Sequence, residues 1–137
     1  MSVIYHVSGK PLPGKQKSML SQFRTGAGIM SRLGSLETRV HNIVMGNAAG
    51  NIGLACKFNS FANAMKALAD RESDPHWQEL METMRSNSSM ELSVRNLLRV
   101  ASGELDLSAK VHHIRTYSMK RDHLPQALEM FKEIEEI

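Results

Sequence analysis

A chain of 137 residues that is 42% hydrophobic and 23% charged is globular in composition rather than disordered, and its length suits one domain around one ordinary core. No run of about 18 or more apolar residues occurs, so no membrane partner is expected. The opening MSVIYHVSGK lacks the basic start and long apolar stretch of a signal peptide. The single cysteine, Cys56, can neither close an internal disulfide nor anchor a cysteine-based metal site. Together these features point to a cytoplasmic protein.

The net charge is +3, with Lys10, Lys15, Lys17 and Arg24 early and Lys110, Arg115, Lys120 and Arg121 late. A nucleic-acid footprint would be stronger and interleaved with exposed aromatics. Only 5% of the residues are aromatic, so the excess reads as a solvated surface and no nucleic-acid partner is expected.

In chain order, Val3 to Ser8 alternates and β-branches as a first strand, and GKPLPG (Gly9 to Gly14) reads as a loop whose prolines stop it. A helix from about Lys15 to Leu33 carries Met19, Leu20, Phe23, Ala27 and Met30 on one stripe, with Gly34 as a left-handed stop. Gly26-Ala27-Gly28 lies inside that pattern, so close packing or a kink accounts for it better than a phosphate loop does. A second strand is expected at Glu37 to Met45, turned by GNAAGN (Gly46 to Asn51) into a third at Ile52 to Phe58. In the second strand Val40 and Val44 flank Asn42 on one face while His41, Ile43 and Met45 share the other. Apolar residues on both faces call for a cover on each.

Asn59 or Ser60 caps the next helix, which restarts at Asp74-Pro75: Asp74 can accept the free N–H groups of a new turn, and Pro75 fits where no N–H is needed. Trp77, Leu80, Met81 and Met84 then share one face as core, and Met90 to Val100 is a closing strand. ASGELDLSA reads as a linker. VHHIRTYSMKRDHLPQALEMFKEIEEI follows as strand, basic loop and amphipathic helix, with Leu124, Ala127, Leu128, Phe131 and Ile134 at helical spacing. The expected division is a module at 1–100, a linker at 101–109 and a strand–helix extension at 110–137.

Strand, helix, DPHWQEL and closing strand resemble the second half of a ferredoxin-like βαββαβ module. In particular the chain resembles the dimeric α+β barrel proteins, which include NIPSNAP-like and antibiotic-monooxygenase-like families. VHHIRTYSMKRDHLPQALEMF is also similar to the first strand and helix of NIPSNAP-like domains. The resemblance implies an α+β fold in which a ferredoxin-like module forms a dimeric α+β barrel, with an extra C-terminal strand and helix. It also implies a homodimer or higher homo-oligomer. A lone strand and a lone amphipathic helix each leave groups uncovered, so the extension is expected to complete this sheet or a partner's, the rival being that it is the first third of a second module.

Function is less legible, because this fold carries unrelated activities. The six histidines show no metal-binding spacing, and no metal or cofactor is expected. His6 and His41 lie on strands, where facing the barrel interior they could meet a ligand, act as acid or base, or coordinate haem iron. The bland alternative is a hydrogen-bonded or interfacial histidine. Tyr5, Asn42 and Arg95 are the other polar strand candidates. His112 and His113 point to opposite faces, so at most one can line a given pocket. The expected role is binding of a small apolar or aromatic molecule in the barrel. The alternatives are an oligomerisation or interaction module of the stress-associated type, or a cofactor-independent monooxygenase, with RNA binding a distant further option because RNA-recognition modules share the ferredoxin-like topology. Ten methionines and buried Cys56 read as core filling.

Overall fold

The computed structural model describes residues 2–135. Strands β1 (Val3–Pro11), β2 (Glu37–Asn42), β3 (Ile52–Phe58) and β4 (Met90–Arg99) form one antiparallel sheet in the order β2-β3-β1-β4. Helix α1 (Gln16–Arg32) links β1 to β2, and α2 (Phe61–Glu72) and α3 (Pro75–Ser86) link β3 to β4. This is the ferredoxin-like βαββαβ order, with the second helical arm broken in two. Helix α4 (Leu124–Glu135) follows a single 3-10 turn at Arg121–His123.

The alternation of the central strands decides where the core sits. Val3 and Tyr5 of β1 and Ile52, Leu54, Cys56 and Phe58 of β3 point to one face, where Met19, Phe23 and Met30 of α1 and Ala64 and Ala67 of α2 close over them. Phe58, Met19, Met30 and Ile52 are among the largest fully buried side chains. Gly26 brings α1 close to Leu80 of α3, and Gly34, at φ +112°, ends α1 in a conformation glycine adopts without strain.

The break in the second arm follows the expected chemistry. Ser60 accepts the Asn63 N–H at the start of α2. Buried Asp74 accepts the N–H groups of His76 (3.0 Å) and Trp77 (3.1 Å) ahead of Pro75-led α3. Its other oxygen takes a 2.6 Å hydrogen bond from Nη1 of Arg32 in the last turn of α1. One carboxylate thereby caps a helix and ties it to its neighbour.

Four expectations change. β1 runs on to Pro11 along β4, with a register shift between Lys10 and Pro11 that accommodates a residue lacking an N–H. β2 stops at Asn42, because Gly46 and Gly50 adopt positive φ and a tight loop carries Val44 (81% exposed) and Met45 (79%) off the sheet. Residues 101–109 do more than link: Leu107 is buried and Leu105 half-buried against Ile4 and Ala55, on the sheet face away from the helices. Residues 111–120 form no strand within the single chain; they are exposed, and a strand needs a partner for its backbone groups. The helix expected after them does form. None of the helices is long and apolar enough to cross a membrane among the described residues.

The Arg32 hydrogen bond, joined by the two cap N–H groups, holds the Asp74 carboxyl down at about 2 from its ordinary 3.8. A folded value below the unfolded one means that the stabilisation is complete above about pH 4 and is lost as pH falls towards 2. Asp74→Ala, which removes cap and ion pair together, should lower Tm by several degrees at pH 7. Asp74→Asn, which keeps a capping oxygen, should lose less, and its gap from wild type should close between pH 4 and 2 in thermal circular dichroism. Cys56 is fully buried and burial pushes its thiol up to about 12, so a thiol reagent should label it only at the rate of unfolding.

Candidate functional site

The same alternation that fills the helix-covered face sends Ile4, His6 and Ser8 of β1 to the other face of the sheet. Gly53, Ala55 and Lys57 of β3, Glu37, Arg39 and His41 of β2, and Val94, Asn96 and Leu98 of β4 join them by register. Within one chain this second face is covered at one end only. There Leu105 and Leu107 pack on Ile4 and Ala55, Lys57 Nζ donates to the Leu105 carbonyl (3.2 Å), and Glu37 accepts the Leu107 N–H (3.1 Å). Beyond this strap Val94 and Leu98 remain 46% and 52% exposed.

His6 and His41 meet in the uncovered part. They stand on β1 and β2 with β3 between them, His41 opposite Gly53 and His6 opposite Ala55, so their rings reach diagonally across the middle strand. Their Nε2 atoms lie 3.2 Å apart, and the ring centroids are 5.2 Å apart with planes 20° from parallel. Gly53 makes the meeting possible. A methyl there would overlap Nε2 of His41 and stand 2.7 Å from its Cε1 and 3.1 Å from Nε2 of His6.

Burial lowers the pKa of His6 below the ordinary 6.5. Burial, then the charges of His6 and His112, lower that of His41. The pair is therefore neutral near pH 7, one ring donating its Nε2–H and the other accepting. His112 is the member of the His112–His113 pair that turns to this side, its Nε2 2.7 Å from the Asp106 carbonyl oxygen.

The other sequence candidates lie elsewhere. Tyr5 points into the core, where Arg71 donates a 3.3 Å hydrogen bond to its hydroxyl. Asn42 pairs with Ile52 and Arg95 with Val7, so both share the parity of the helix-side face, and both are exposed near its edges. Of the five candidates, then, the structure brings together His6 and His41 and separates Tyr5, Asn42 and Arg95 from them. Buried Arg71 escaped the sequence reading; its guanidinium lies over the rings of Trp77 (4.2 Å) and Tyr5 (5.4 Å). Gly53 escaped it too, although a lone glycine inside a strand signals close approach by a neighbour. Two open clefts, one along Lys17, Ser21 and Arg24 of α1 and one between Arg99–Gly103 and Leu128, include neither histidine.

Sequence comparison finds no matching family model and no matching curated protein. Solved structures match in shape. A NIPSNAP family protein from Agrobacterium tumefaciens aligns with a TM-score of 0.62 at 16% identity, over 75% of this chain and 89% of its own. An uncharacterized NIPSNAP domain protein from Burkholderia xenovorans aligns with a TM-score of 0.62 at 15% identity, over 76% and 99%. SnoaB, a cofactor-independent oxygenase from Streptomyces nogalater, aligns as its N63A mutant with a TM-score of 0.55 at 13% identity, over 74% and 95%. At such identities the likeness is one of fold, and this chain has the ferredoxin-like α+β fold seen in these NIPSNAP and oxygenase neighbours.

Proposed function

We propose that this chain forms a homodimer in which two sheets face each other, and that the chamber between them binds a small apolar or aromatic molecule. The observation that carries the reading is the second face of the sheet. It is half-roofed by the Leu105–Leu107 strap, leaves Val94 and Leu98 exposed, and holds the half-buried His6–His41 pair between them. Exposed apolar residues beside a few fixed polar groups are the makings of a ligand site once a second surface closes it. The histidine pair supplies the polar anchor, able to donate to or accept from one group of an otherwise apolar molecule. That one structural neighbour is named as an oxygenase extends to this chain only as a class of chemistry that such a chamber could host.

A second reading, an assembly module, has its own support in the C-terminal extension. Val111, Ile114 and Tyr117 ahead of α4, and Met130 and Ile134 on it, are each more than half exposed. So much uncovered apolar surface in one segment fits an arm that completes a second copy.

Leu98→Arg places a charge on the face where the second sheet would pack. It should convert a dimer at micromolar concentration to monomer in sedimentation or native mass spectrometry while leaving the far-ultraviolet circular dichroism intact. Wild type sedimenting as a monomer would overturn the reading. With an environment-sensitive apolar dye as probe, His6→Ala should weaken binding by about three- to tenfold, the worth of one hydrogen bond, without lowering Tm beyond a few degrees. Removing residues 108–137 should lower Tm or reduce the native mass beyond the loss of the segment itself. Full retention of both would leave the arm without an assembly role.

A further inference from the structure

The His6–His41 pair carries an inference that goes beyond a polar anchor. We propose that these two imidazoles form a bidentate site for a divalent transition ion of the kind imidazole favours, with Zn2+ as the probe, held within a single chain. Two nitrogens each about 2.0–2.1 Å from a shared tetrahedral ion stand roughly 3.3 Å apart. The two Nε2 atoms are 3.2 Å apart, which is the long limit of a hydrogen bond but the ordinary spacing of a chelate. The contact is made by the same atom of each ring, tip towards tip, with the centroids 5.2 Å apart. Gly53 keeps the space beneath them clear of side chain. Both rings are neutral near pH 7, the form that ligates.

Among the described residues no group of three or more His, Cys, Asp or Glu encloses such an ion. The remaining positions therefore belong to water or a small molecule, and the site is of the open, exchangeable type rather than the closed structural type. Neither the second copy nor an apolar ligand is required, so this site and the barrel reading stand or fall separately.

The test is a titration of the untagged full chain, stripped with chelator, with ZnCl2 and CoCl2, read by calorimetry, native mass spectrometry and the visible spectrum of Co2+. One ion per chain is expected, with His6→Ala and His41→Ala each weakening it at least about tenfold and exposed His76→Ala leaving it unchanged. Gly53→Ala keeps both imidazoles but drives His41 aside, and it should weaken the ion comparably at similar Tm. In 15N spectra Zn2+ should turn both rings to the Nδ1–H form, whereas the metal-free pair keeps one Nε2–H. No one-to-one binding, or binding that survives His6→Ala and His41→Ala, would overturn the site and leave the pair a hydrogen bond. Leu98→Arg, if monomeric, should still take the ion; a monomer that loses it would show the site to lie between copies, contrary to the proposal.

Discussion

Strands β1 and β3 lie in the middle of the sheet, so every residue on them points at one of two faces, and the helices of this chain cover only one. The rest of the structure follows from that constraint. The helix-covered face takes the large apolar side chains and excludes Cys56 from solvent. The other face receives smaller and more polar residues, and the chain covers part of it with its own strap at Leu105–Leu107. Beyond the strap Val94 and Leu98 of β4 stay about half exposed, and the half-buried histidine pair stands on the same face.

The pair also shows how little sequence can separate packing from chemistry. Two half-buried imidazoles reach across β3 because the residue between them is a glycine. Any side chain at position 53 would force them apart, since β3 is held in register by both neighbours and cannot retreat. The strap contributes at one remove, because the Asp106 carbonyl that holds His112 lies between the two residues that roof the sheet. Face, strap and pair are thus a single local arrangement rather than three unrelated features.

On the helix side the corresponding organiser is Asp74. Its carboxylate answers the open N-terminus of α3 and the guanidinium at the end of α1, so the break in the second arm becomes a joint between two helices. Arg71 has a different role three residues earlier. It is a buried cation packed against Trp77 and Tyr5, which makes Tyr5 part of the core's polar seam rather than a site residue. On the other side of the sheet Lys57 and Glu37 tie down the strap, and neutral imidazoles meet beyond it.

The sequence by itself determined the element order, the caps and the break at Asp74-Pro75, because these depend on neighbours a few residues apart: Ser60 with Asn63, and Asp74 with His76 and Trp77. It placed α1 within one residue at either end, β3 at Ile52–Phe58 and β4 within one residue, since their hydrophobic periods are long and clean. It also singled out His6 and His41 as strand histidines. The tertiary structure decided what periodicity could not: that β2 ends at Asn42, that residues 101–109 return over the sheet, and that 111–120 find no strand partner in one chain. It decided as well that His6 and His41 share a face from which Tyr5, Asn42 and Arg95 are excluded. Apart from the end of β2, which the local Gly46–Gly50 loop sets, those outcomes rest on strand order and on contacts between residues far apart in the chain, and alternation along one strand gives parity but not which face the helices will choose.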